Sequence, residues 1–219
     1  MSTTLPSPAR TAFARRSLGL LAPIGPLAMA GWSLAVPYGV ADEPAVWISK
    51  AAAATGRLQV AMWMLLVFAL TAGAGAIVTG LVARAGSLRV GTAGMVLAFA
   101  GFAGLSFSGA GYDAAAIASR QAGLDLAATQ KVLDRIDTFQ APAVGAGSLV
   151  LLMFAGVLLL GVALWRGGCV PRWAALSILI APPVILAGGF AAMPVNALGW
   201  ALLAAGFAAA GFTFARTRP

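Results

Sequence analysis

"LQVAMWMLLVFALTAGAGAIVTGLV", residues 58–82, contains no Asp, Glu, Lys or Arg. Wound as an α-helix at about 1.5 Å per residue, it is long enough to cross the hydrocarbon core of a bilayer, which is about 30 Å thick. A charge at the centre of such a helix costs about 2.5–3.5 kcal/mol on insertion scales, so the absence of charge over the whole stretch predicts a transmembrane helix. Five more stretches read the same way, one of them with a single charge, Arg89, beside its start: 18–40, 88–108, 144–165, 173–192 and 197–215. The chain as a whole agrees. Of its 219 residues, 61% are hydrophobic and 9% charged, against about 25% charged in soluble domains. The expected fold is all-α, a polytopic membrane helix bundle of six spans at 18–215, with tails at 1–17 and 216–219.

The basic residues orient the bundle. Arg10, Arg15, Arg16, Arg84, Arg89, Arg166, Arg172, Arg216 and Arg218 fall on one side of six crossings. Lys50, Arg57, Arg120, Lys131, Arg135 and all six acids fall on the other. Bases concentrate in cytoplasmic loops, so both tails are expected in the cytoplasm. The net charge of +8 is thereby explained by topology, and no nucleic-acid partner is expected: no arginine stripe with interleaved aromatics is present. Trp165 and Trp173 bracket one cytoplasmic turn. Trp63 and Trp200 are expected at the opposite interface, where indole rings favour the headgroup level.

"ARRSLGLLAPIGPLAMAGW" (14–32) offers a rival reading as a signal peptide, with Ala28-Met29-Ala30 as the cleavage pattern. The apolar run continues to Val40, longer than such peptides need, and an uncleaved first helix is expected.

"DAAAIASRQAGLDLAATQKVLDRIDTFQ" (113–140) breaks the apolar pattern, with four of the six acids. It lies in an extracytoplasmic insert, 111–142. Two helices are expected. The first ends at Gly123, which suits a left-handed cap position, and Asp125 caps the second. In steps of about 100°, Leu126, Val132, Leu133, Ile136 and Phe139 share one face. Gln130, Lys131, Asp134, Asp137 and Thr138 lie largely opposite. Surface-seeking helices are rich in Lys and Arg on their polar face, and this one is mixed, so its apolar stripe is expected to cap the bundle's outer mouth. Pro142 then restarts the chain toward the fourth span. "EPAVWISKAAAATGR" (43–57) is expected to form a similar interfacial helix around Trp47.

Much chemistry is excluded by composition. There is no histidine and one cysteine, Cys169. Haem with histidine ligands, a histidine-dependent serine protease and a histidine or four-thiolate zinc site are all ruled out. No P-loop pattern occurs. No catalytic residue, metal site or cofactor is expected. Asp134 and Asp137 beside Lys131 and Arg135 read as a solvated helix face, and Cys169 as a reduced thiol in a turn. Asn196, after Met193-Pro194-Val195, reads as the cap of the sixth span.

Inside the bundle, small residues recur four apart, as at Gly75/Thr79, Gly94/Ala98 and Gly206/Ala210. Such pairs let helix backbones approach in lipid. Prolines mark two further places. The first span carries Pro23 and Pro26, and the fifth carries Pro182-Pro183. Broken helices line substrate sites in transporters. A pocket is therefore expected between the first and fifth spans, with Ser33, Tyr38 and Ser177 as its polar contributors.

The turn "LWRGGCVPRWAAL" (164–176), the early "LAPIGPLAMAGWSLAVPYG" (21–39) and the amphipathic insert together resemble a group of small multi-pass membrane proteins of unknown function from GC-rich bacteria. The resemblance implies the multi-pass fold and brings no activity or site residue with it. Beyond the lipid bilayer as partner, the leading expectation is a non-enzymatic protein that binds, or assists the movement of, a small apolar or lipidic ligand. The alternative is an accessory subunit or scaffold acting by helix contacts with another membrane protein, or with a copy of itself.

Overall fold

The computed structural model describes residues 8–139 and 145–217 and is helical almost throughout, with no strand among the described residues. The elements are α1 (Pro8–Leu21), α2 (Ile24–Ala35), α3 (Pro44–Ala53), α4 (Thr55–Gly86), α5 (Leu88–Gln121), α6 (Leu126–Asp137), a π turn (Gly145–Leu149) leading into α7 (Val150–Gly167), α8 (Arg172–Ala191) and α9 (Met193–Arg216). Six stretches among the described residues are long and apolar enough to cross a membrane: Ala12–Ala35, Thr55–Gly86, Leu88–Gln121, Gly147–Gly167, Arg172–Ala191 and Met193–Arg216. The chain is an all-α multi-pass bundle. The expected restart at Pro142, and Arg218 of the C-terminal tail, lie outside the described residues.

The spans close into a ring. Neighbours in the chain pack on one another from α4 to α9, and α9 returns to pack on α1 and α2, which in turn lie on α4. α4 also reaches across to α7 and α9. Edge-to-face aromatic pairs fill the centre: Phe68 with Phe102 at 5.7 Å, Phe68 with Trp200 at 5.8 Å and Phe102 with Phe207 at 6.3 Å between centroids. In lipid such packing, rather than expulsion of water, holds helices together. Trp200 is 2% exposed, so it is a core residue and not the interfacial anchor expected from its position near the end of a span. Trp63, Trp165 and Trp173 are exposed on the bundle's outside.

Small residues set the helix spacing. A Cβ on Gly167 would fall 2.2 Å from the Gly86 Cα, closer than real atoms approach. The turns after α4 and after α7 therefore touch each other. Gly94 and Gly206 likewise face neighbouring backbone within the bundle.

The prolines of the first span begin a helix rather than interrupt one. The chain turns between α1 and α2 at Ala22-Pro23, and Pro26 lies in the first turn of α2. First-turn N–H groups have no intrahelical partner, so their absence costs nothing there. Residues 8–17 of the expected tail are helical as part of α1. Arg15 donates from Nη1 to the Thr217 carbonyl and lies over the Phe214 ring, which brings the beginning and the end of the described chain to one end of the bundle.

The opposite end carries a cap. α5 does not stop near 108, as the glycines at 109 and 111 suggest. It continues to Gln121, so the expected first helix of the insert is the end of the third span. Gly123 follows with φ +84°, and Asp125 Oδ1 accepts from the Ala128 N–H at 2.7 Å, both as the sequence predicts. α3 and α6 then pack on this extension of α5 and on each other. Arg57, at the start of α4, donates to the carbonyls of Leu34 and Ala35 at 3.2 and 3.1 Å. A cation at a helix C-terminus opposes the helix dipole and satisfies its free carbonyls.

Candidate functional site

The cap and the bundle end beneath it form an open cavity of about 400 Å³. Trp32 of α2, Tyr38 and Gly39 of the following loop, Trp47 and Ile48 of α3, Tyr112 and Asp113 of α5, and Gln130, Leu133 and Asp134 of α6 line it. Three stretches of the chain, 32–48, 112–113 and 130–134, thus converge, and each has a local reason to be there. Pro37 ends the path of α2 and turns the chain toward Tyr38. Glu43-Pro44 starts α3, with proline at its first position, where its missing N–H is harmless. The Ala-rich stretch after Asp113 keeps α5 helical past the bundle. The apolar face of α6 seats on Ile48 and Ala116.

Asp113 is 4% exposed. The Tyr38 hydroxyl donates to its Oδ1, the only hydrogen bond the described residues give this carboxylate. A carboxylate accepts about four, so most of its capacity is left toward the cavity. Burial, and then the nearby charge of Asp113, push the Tyr38 phenol above its ordinary range, and it remains a donor. The Tyr38 and Trp47 rings are 5.6 Å apart at 53°, which holds both upright in the wall. The Trp32 Nε1–H is buried and without a partner among the described residues. Buried donors usually have one.

At the rim, Asp42 Oδ2 accepts from the Gly39 N–H at 2.9 Å and from Lys50 Nζ at 2.8 Å. These bonds, Lys50 first, hold its carboxyl below the usual range.

The expected pocket between the first and fifth spans is differently placed. α8 packs on α7 and α9, and among the described residues it does not pack on α1 or α2. α9 stands between them. Pro182 and Pro183 lie within the unbroken α8, the first buried and the second exposed. Ser177 Oγ donates back to the Ala174 carbonyl of its own helix at 2.9 Å. Pro23 and Pro26 start α2, away from the cavity. Ser33 is buried beside Asn196, and of the expected group Tyr38 alone lines the cavity.

Asn196 is not a cap. It lies inside α9, whose cap residue is Ala192. Its Nδ2 donates to the Ile185 carbonyl of α8 at 2.8 Å, and its Oδ1 lies 2.7 Å from Ser33 Oγ. The Ser33 proton is shared between this oxygen and the Met29 carbonyl at 2.8 Å. One amide thereby ties α2, α8 and α9.

The α6 stripe is rotated from its expected centre. Leu133 is 4% exposed and Thr129 fully buried, with Leu126 and Ile136 partly covered, while Val132 and Phe139 face outward at 39% and 64% exposure. The inward arc is centred between Leu126 and Thr129, one residue of which is polar, so counting apolar residues alone drew it too far round. Sequence reasoning missed Asp113, Tyr112 and Trp32. The signal available was that Asp113 sits in an Ala-rich stretch with no proline and no other charge before Arg120, which lets a helix run through it.

No protein-family model, no curated protein and no solved structure matches the chain. Among the described residues no group of three or more His, Cys, Asp or Glu is placed to hold a metal ion.

Proposed function

We propose that this multi-pass protein lies in a bacterial cytoplasmic membrane with both termini inside, and binds a small molecule in the cavity under α3 and α6, or passes it on. The cavity carries the reading: its volume of about 400 Å³ lies in the range of small-molecule sites, about 300–1,000 Å³, and its apolar walls with a few convergent polar groups are of the same kind. A binding role fits the chemistry better than catalysis. The Tyr38 proton is held by burial and by Asp113, so this pair keeps a proton in place rather than transferring it.

Native mass spectrometry of the protein extracted gently from its own membranes tests this. The expected result is a small-molecule adduct that is lost in Trp47→Ala. Bare protein from several mild extractions overturns the reading. A stoichiometric second polypeptide in place of the adduct replaces it with the accessory-subunit role.

A further inference from the structure

From the composition of the cavity wall we infer that the ligand is an organic cation, a quaternary or protonated amine. The inference rests on the binding role proposed above and specifies its ligand class. The chain has fourteen basic residues and six acidic ones, and two tyrosines in all. Yet the wall holds two acids, Asp113 and Asp134, no Lys or Arg, and both tyrosines together with Trp32 and Trp47. On the cap's side of the bundle there are six acids and five bases, and none of those five bases lines this wall, which holds both tyrosines.

The arrangement suits a cation for two separate reasons. Aromatic faces attract ammonium groups through their quadrupole, most strongly where water is excluded, and cages of such rings are a recurrent way to bind quaternary amines. Asp113 supplies a buried carboxyl group that an adjacent cation would hold ionised, and its Oδ1 is oriented by Tyr38. The nearby bases are engaged elsewhere or turned away. Lys50 pairs with Asp42 at 2.8 Å. Arg57 binds the end of α2, and Arg120 donates to the Leu124 carbonyl at 2.6 Å. Lys131 and Arg135 lie on the exposed face of α6, where Asp134 joins the two surfaces. A free amino alcohol and the headgroup of a membrane phospholipid share this chemistry.

The test is calorimetric titration of the full chain in a maltoside detergent with choline and with its uncharged carbon isostere, dimethylbutanol. Choline is expected to bind saturably at one site and at least about tenfold more tightly than the isostere. Asp113→Asn, whose side-chain oxygen still accepts from Tyr38, is expected to weaken choline about tenfold and leave the isostere unchanged. Should that variant fail to fold, Tyr112→Leu removes an aromatic face without touching the Asp113 bond, and is expected to shift choline alone. Equal binding of choline and isostere, or indifference of choline to both variants, overturns the cationic ligand and leaves a small-molecule site standing. Binding of neither probe, with no adduct in native mass spectra, overturns both readings. Repeating the titration in phosphatidylcholine and phosphatidylglycerol nanodiscs separates the sources. Weakening confined to phosphatidylcholine shows that a lipid headgroup occupies the site, and equal affinity shows that the free amine does.

Discussion

The ring of spans and the cap over its end are built from different materials. In the ring, glycine and alanine bring backbones together until no side chain fits between them, as at Gly86 and Gly167. Its polar side chains are mostly used up locally: Ser106, Thr71, Ser177 and Thr213 each return a hydrogen bond to a carbonyl three or four residues back. Around the cap, tyrosine, tryptophan, aspartate and glutamine line a cavity with a carboxyl group whose acceptor capacity is mostly unused among the described residues. Close contact leaves no room for a ligand. A region assembled from short helices and a loop, each seated on one long helix, can leave such room. The extension of α5 beyond the bundle is what joins the two, since α3 and α6 both rest on it.

The contrast is broken most severely from the ring side. Gly167→Val places a methyl-bearing carbon against the Gly86 backbone, where nothing flexible can yield. Overpacking of this kind costs about 3 kcal/mol, the upper part of the usual range. The expected outcome is a large fall in the thermal unfolding midpoint in detergent, with α4 and α7 no longer seated. An unchanged midpoint shows that the ring tolerates wider spacing than its glycines imply.

On the cap side the effect is smaller and local. Leu133→Ala removes the buried anchor of α6 and is expected to cost about 2 kcal/mol, the low end for a core leucine. Hydrogen exchange is the measurement, because local opening and global unfolding separate there. α6 is expected to exchange faster while α4 and α7 keep their protection. Val132→Ala, on the outward flank of α6, and Phe139→Ala, just past its C-terminal end, are expected to leave α6 protection unchanged. Loss of protection in these two returns the buried face to the arc counted from apolar residues alone.

How much of this was legible in the sequence follows from what each feature depends on. The spans depend on composition over about twenty residues, and all six could be read. The caps at Gly123 and Asp125 depend on one residue and its neighbours, and could be read as well. Ring order depends on contacts between distant segments, and no local pattern carries it. The first and fifth spans were therefore set side by side on the strength of their prolines, although α9 stands between them. Asn196 shows the same limit: its place after a proline suggested a helix start, while its partners, Ser33 and Ile185, lie 163 and 11 residues away in the chain. Asp113 was hidden for a different reason. It was read as the start of a separate insert helix, whereas α5 runs through it as one helix to Gln121.

The smallest expected effect lies at the rim, and its sign follows from Asp42. The Lys50 and Gly39 bonds depress its folded value below the unfolded one, which is about 3.9 for aspartate. A carboxyl shifted downward contributes stability above its unfolded pKa and loses that contribution as pH falls through the folded value. Asp42→Asn is therefore expected to lower the unfolding midpoint slightly at pH 6, and the difference from the native chain is expected to vanish under strong acid. The pair is at the surface, so added salt should shrink the difference at pH 6 as well. Should the gap instead widen on acidification, the rim carboxylate is not held by Lys50 in solution. The Gly39 loop would then be free of that tie, and the cavity would be bounded on that side by Tyr38 and Trp47 alone.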